Sequence, residues 1–148
     1  MGVHGLRTDA FAARSTKGPE RRAMAILGAD SGAGLMVGAV LLALRIPFAE
    51  LYGVPVQLLT ATAAVNVLYG SYSGVLWTRA RRGRWPGRRS IDALVAANAS
   101  WGVVCLVLAV ATWRTASVFG TAQWLAEGAF VFTLAALERC FVRTLCDA

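Results

Sequence analysis

A carboxylate set in the middle of an apolar segment is the residue in this sequence with the strongest chemical claim. Glu127 stands within VFGTAQWLAEGAFVFTLAAL, and neither Lys nor Arg falls at the same depth in the other apolar segments. An ionised side chain near the centre of a bilayer costs at least about 2.5 to 3.5 kcal/mol. Such a residue is expected to be protonated by default, and either to titrate a proton or bind a ligand, or to hydrogen-bond Asn66 or Asn98 and tie helices together, each bond worth about 0.6 to 2 kcal/mol.

Helical spacing supplies its neighbours. Thr62, Asn66, Tyr69 and Ser73 follow steps of four, three and four, and therefore share one helix face. Asn98, Trp101 and Cys105 repeat those steps in the next apolar segment. Gln123, Glu127 and Glu138 form a third stripe, with Trp124 beside it. Counted inward from the segment ends, Asn66 and Glu127 lie at similar depth. The expected ligand-binding or proton-titrating set is thus Glu127, Asn66, Asn98, Tyr69, Trp101, Gln123 and Trp124. Glu138, next to Arg139 at a segment boundary, is expected to be solvated. The strings NVLYG and NASWG share an Asn, an aromatic three residues on and then Gly, a match short enough for chance to account for it.

Other chemistries lack their parts. The only histidine is His4, and the cysteines Cys105, Cys140 and Cys146 form neither a CxxC pair nor a metal-ligand spacing, so no metal site, cofactor or disulfide framework is expected. No paired carboxylates and no nucleophile with an adjacent base stand out. No catalytic residue is assigned, and an enzyme acting on lipid through Glu127 as acid or base is the least supported reading.

The elements that position these residues follow from composition. Of 148 residues, 57% are hydrophobic and only 16% are charged, with a mean hydropathy of +0.56. A soluble domain carries about 45 to 50% apolar and about 25% charged residues. The expected fold is all-α, an integral membrane four-helix bundle with four transmembrane spans at about 25–45, 55–77, 91–113 and 118–138. At about 1.5 Å per residue, some 20 residues cross a hydrocarbon core. The domain organisation is a polar basic tail over 1–24, broken by Gly18 and Pro19, a membrane domain over 25–140 and a short tail over 141–148. Leu6, Phe11 and the arginines near them could lie on a membrane surface.

Between the second and third spans lies WTRARRGRWPGRRS, with Arg79, Arg81, Arg82, Arg84, Arg88 and Arg89. Ser90 is expected to cap the third span and Asp92 to favour its first turn. Counting Lys and Arg, thirteen fall in the two tails and this loop, and two, Arg45 and Arg114, fall on the other side. The positive-inside rule then places both termini in the cytoplasm and the protein in the cell (inner) membrane as a multi-pass chain. The near absence of Lys suits a GC-rich bacterial source. The same arginines are expected to contact anionic lipid headgroups. A pI near 10.4 would suggest nucleic acid for a soluble chain, but charge flanking apolar runs reports orientation, and no nucleic-acid partner is expected.

On the opposite side, Arg45 and Glu50 read as an interfacial pair, and Pro47 to Gly53 as a short amphipathic connection. Gly34 and Gly38 of the first span, with Gly70 and Gly74 of the second, allow close helix approach and are expected to serve helix packing, within the chain, in a homodimer or against a membrane partner protein. Two functional expectations follow. One is a small membrane protein with a partly polar pocket that binds or transports an amphipathic or lipid-like molecule, with Glu127 as the group that could link it to protons. The other is a structural or regulatory subunit that packs on a partner through its glycine-rich faces.

Overall fold

The computed structural model describes residues 4–146, with side chains from Gly18 onward. The expected surface contacts of Leu6 and Phe11 fall outside the described side chains. Every element among the described residues is helical: α1 (His4–Ala43), α2 (Arg45–Tyr52), α3 (Val56–Arg81), α4 (Arg88–Thr112) and α5 (Val118–Leu137), followed by a π-helical turn at Glu138–Val142 and a 3-10 turn at Arg143–Cys146. Gly18–Ala43 and Arg88–Thr112 are each long and apolar enough to cross a membrane. The pair α2 and α3, bent by 119° at its junction, would make a third. α5 carries Gln123 and Glu127 within its apolar run and is not among these candidate spans.

Several boundaries differ from the sequence expectation. α1 continues through Pro19 rather than breaking there, at the loss of one backbone hydrogen bond. The basic segment is largely helical: Arg79 and Arg81 lie in the last turn of α3, where cations suit the helix dipole. Arg88 and Arg89 begin α4, so only 82–87 connects the two helices. Ser90 is therefore inside α4 and does not cap it. Gly87 occupies the cap position, and the Ser90 carbonyl instead accepts the Tyr72 hydroxyl at 3.2 Å. Asp92 pairs with Arg88 at 3.7 Å and with Arg143 at 2.7 Å, which offsets two cations at an unfavourable helix end.

At the other end, α2 is a short helix whose Phe48 and Tyr52 rings stack at 5.3 Å. Arg45 does not reach Glu50; its guanidinium donates to the Leu42 carbonyl at 3.0 Å. Pro55 precedes the first residue of α3, where its missing N–H costs nothing. Gly53, at φ +67°, makes the turn between α2 and α3, a conformation that favours glycine. Ser117 fastens this end: its Oγ accepts from Gly120 N at 3.1 Å, capping α5, and donates to Leu51 O at 2.7 Å, while its N–H donates to Tyr52 O at 2.8 Å.

Packing divides the molecule into two tight helix pairs, α1 with α3 and α4 with α5. Glycines set the first seam. A methyl group on Gly38 would sit 2.6 Å from Val67 Cγ2 and 2.9 Å from Ala63 O, and one on Gly70 2.6 Å from Leu35 N. Gly34 abuts Asn66 and Gly70, and Gly74 abuts Ser31. These four glycines therefore pack within the chain. In the second pair Gly102 lies under the Phe132 ring, at 2.7 Å from where its Cβ would be. The two pairs meet at both ends. Ala23, Leu27, Leu76, Ile91, Leu94 and Val142 close the end bearing the basic connection. Leu41, Val54, Leu59, Ala63, Trp101, Cys105 and Trp124 form an apolar cluster toward the other.

Polarity is inverted relative to a water-soluble bundle. Met36, Leu68, Val75, Val107, Val110, Val118 and Phe119 are among the large exposed apolar residues, whereas Asp30, Thr62, Asn66, Ser73, Asn98, Glu127 and Glu138 are buried. An apolar exterior around a hydrogen-bonded polar interior suits lipid as the surrounding solvent.

Candidate functional site

The buried polar residues gather between the two helix pairs. Glu127, on α5, is the hub of one group. Its Oε1 accepts from Asn66 Nδ2 on α3 at 2.9 Å and from Trp101 Nε1 on α4 at 2.8 Å, and its Oε2 accepts from Gln123 Nε2 one turn earlier at 3.3 Å. Asn66 Nδ2 also donates to Thr62 O at 3.1 Å. All three partners of Glu127 are N–H donors, a set that matches a carboxylate acting as acceptor only. The group joins three helices from both pairs, and the Tyr69 ring tilts against Trp101 with centroids 6.5 Å apart.

A second group lies nearer the basic connection. Asn98 Nδ2 donates to Glu138 Oε2 at 3.1 Å, not to Glu127. Glu138 is fully buried, which overturns the expectation that it is solvated. The helix widens into a π turn from Glu138 onward, and eleven residues after Glu127 is just over three whole turns, so the side chain stays on the inward face. Asp30 of α1 joins this group, with Ser73 and Asn98 beside its carboxyl and Glu138 close enough for repulsion between the two acids. One oxygen of each acid, Asp30 Oδ2 and Glu138 Oε1, is buried without a hydrogen-bond partner. Arg143 turns away to Asp92, and Arg139 and Arg143 line a separate surface hollow on the outer side of α4.

A cavity of about 300 Å³ spans the two groups. Asp30 and Asn98 stand at one end and Asn66, Trp101, Gln123 and Glu127 at the other, with Tyr69 in the wall. Ser73 and Asn66, level with the two groups on α3, are seven residues apart, which puts the groups about 10 Å apart along the bundle. Between them the lining is Ala33, Gly34 and Val37 of α1 and Ala126, Phe130 and Val131 of α5. Ala126 and Phe130 are exposed, so the cavity opens sideways between α1 and α5, which touch little. Beyond Val37 and Gln123 it adjoins a second hollow of about 210 Å³ lined by Met36, Val40, Leu41, Phe48 and Tyr52. No Lys or Arg lines either space among the described residues.

Six of the seven side chains expected to surround a pocket, Glu127, Asn66, Asn98, Tyr69, Trp101 and Gln123, line this cavity. Trp124 does not. It packs in the apolar cluster and its Nε1 is buried without a partner, because a residue adjacent to the polar stripe is turned about 100° from it. The strings NVLYG and NASWG place their members in parallel roles: Asn66 and Asn98 each hold a buried carboxylate, and Gly70 and Gly102 each lie at the seam of their own helix pair. Sequence reasoning missed Asp30 as a cavity residue and Glu138 as a buried one, although Glu138 shares a helical face with Glu127 in the sequence. Among the described residues no cluster of His, Cys, Asp or Glu suits a metal ion. Comparison with known protein families, curated proteins and solved structures finds no match to this chain.

Proposed function

We propose that this is a four-span membrane protein that binds, or passes along, an amphipathic small molecule in the cavity between its two helix pairs. The observation that carries the reading is the cavity itself: apolar along its length, acidic at two depths, and open to the side where a bilayer would supply a lipid-like ligand. Apolar walls with a few placed polar groups suit a molecule with a hydrocarbon body and a polar or cationic end, and Tyr69, Trp101 and Phe130 offer aromatic surface for it.

The membrane arrangement supports this. α4 is apolar enough to cross a bilayer, and α5 packs against it. Gln123 and Glu127 of α5 face inward on hydrogen-bond partners, so their polarity is hidden from lipid and α5 serves as the fourth span. The Lys and Arg distribution favours both termini and the 82–87 connection in the cytoplasm of a bacterial inner membrane. Arg79, Arg81, Arg82, Arg84, Arg88 and Arg89 would then meet anionic headgroups, each contributing about 1 kcal/mol near the surface. Glu127 fits the helix-tying role, its carboxylate satisfied by three donors. In the alternative role as a packing subunit, Gly34, Gly38, Gly70 and Gly74 are engaged within the chain, and a homodimer or partner protein would have to use other apolar faces.

The test is binding of a polarity-sensitive amphipathic dye to the protein in lipid nanodiscs, with Ala126→Trp as the comparison because position 126 stands at the exposed rim. Saturable binding at one dye per chain, lost in Ala126→Trp at unchanged thermal stability, is the expected result. Equal dye uptake by wild type, Ala126→Trp and empty nanodiscs would sink the reading.

A further inference from the structure

The two acidic groups of the cavity differ in one respect. Glu127 has a donor for each oxygen, drawn from Asn66, Trp101 and Gln123. Asp30 and Glu138 are 5% and 0% exposed; Asn98 Nδ2 donates to Glu138 Oε2, and Ser73 and Asn98 lie beside the Asp30 carboxyl. Asp30 Oδ2 and Glu138 Oε1 have no donor, and Asp30 lines the cavity. A buried carboxylate oxygen without a donor is costly, and the two acids add mutual repulsion. The basic residues that follow Glu138 in sequence are directed elsewhere, Arg143 to Asp92.

A positively charged N–H donor at the inner end of the cavity would satisfy these oxygens and offset the repulsion. A small ion alone would leave the rest of the space unfilled. The cavity continues from Asp30 past Val37 into the hollow lined by Met36, Val40, Leu41 and Phe48, and residues 30 to 41 of α1 rise about 16 Å, enough for a medium alkyl chain. Resting on the reading of the cavity as an amphiphile site, we propose that its ligand class is an alkyl ammonium, with a primary ammonium headgroup hydrogen-bonded at Asp30 beside Glu138 and its chain lying in the α1–α5 groove, and that Asp30 rather than Glu127 receives the charge.

The experiment is calorimetric titration of the full chain in phosphatidylcholine nanodiscs with dodecylammonium and with dodecyltrimethylammonium, which has the same tail and charge but no N–H. Empty nanodiscs give the partitioning background. Wild type should bind dodecylammonium saturably and about tenfold or more tighter than the trimethyl compound, because a charge-assisted hydrogen bond is available only to the former. Asp30→Asn should remove that preference and Glu127→Gln should retain it. Asn at position 30 supplies an amide donor to Glu138, so this variant should fold; Glu138→Gln provides the same test by weakening the preference should Asp30→Asn prove unstable in thermal unfolding. Saturable binding of both probes with equal affinity, or a preference abolished by Glu127→Gln and kept in Asp30→Asn, overturns the ammonium site while leaving the amphiphile cavity standing. No saturable binding of either probe defeats both.

Discussion

Replacing Glu127 tests whether this residue acts as a hydrogen-bond acceptor between helices. Its Oε1 takes two bonds that cross between elements, from Asn66 of α3 at 2.9 Å and from Trp101 of α4 at 2.8 Å. Interhelical side-chain hydrogen bonds in membrane proteins average about 0.6 kcal/mol and reach about 1.7. Glu127→Leu removes both bonds and leaves the Trp101 indole N–H buried without a partner, so the expected loss is about 1 to 3 kcal/mol. Asn66 is partly spared because its amide also donates to Thr62 O. Glu127→Gln keeps an oxygen where Oε1 stands and places an amide opposite Gln123, whose own amide can rotate to accept, so the loss should stay below about 1 kcal/mol. The assay is reversible unfolding in mixed detergent micelles followed by tryptophan fluorescence, with Trp101 expected to shift in wavelength in Glu127→Leu. Equal destabilisation by Gln and Leu would refute the reasoning, since it would mean that the negative charge and not acceptance holds the site. No destabilisation by Leu would refute it equally.

Other perturbations separate the parts of the account. Gly70→Ala forces a methyl to 2.6 Å from Leu35 N at the α1–α3 seam and should cost about 1 to 3 kcal/mol by overpacking, whereas Gly32→Ala, with open space at the corresponding position, should cost nothing measurable in the same unfolding assay. Ser117→Ala removes the α5 cap and the bond to Leu51 O and should lower stability by about 1 kcal/mol, which a detergent melting curve will register. For topology, a periplasm-active phosphatase fused after Ala148 should be inactive and one inserted at Thr115 active; the reverse pattern would contradict cytoplasmic termini.

Much of the site could be read from the sequence because helical periodicity carries depth and face together. Thr62, Asn66 and Ser73, spaced by four and seven, are all buried on one side of α3, and Asn98, Trp101 and Cys105 on one side of α4. The start of α5 at Val118 coincides with the expected start of the fourth span, and the structure adds Ser117 as its cap. What could not be read depended on competition between local signals. A run rich in arginine reads as a loop, yet arginine is a good helix former and α3 and α4 extend into it from both sides, leaving 82–87. Ser90 was placed at a helix start, but Pro86 and Gly87 end the connection three residues sooner. Glu138 illustrates the hardest case: its neighbour Arg139 and its place at the end of an apolar run argued for solvent, while its spacing from Glu127 argued for the interior. The structure follows the spacing. Asp30 gave no such conflict; its partner at Glu138 lies over a hundred residues away in the chain, and only the packing of α1 against the π turn brings the two together.

The central claim, an amphiphile site between the helix pairs, is tested most directly by an experimental structure of the protein in lipid nanodiscs with dodecylammonium, at a resolution that resolves side chains. The expected result is elongated density between α1 and α5, its polar end within hydrogen-bonding distance of Asp30 and its tail along Val37, Phe130 and Val131. A closed seam, with Ala33 and Gly34 packed directly on Ala126 and Phe130 and no density between them, would contradict it.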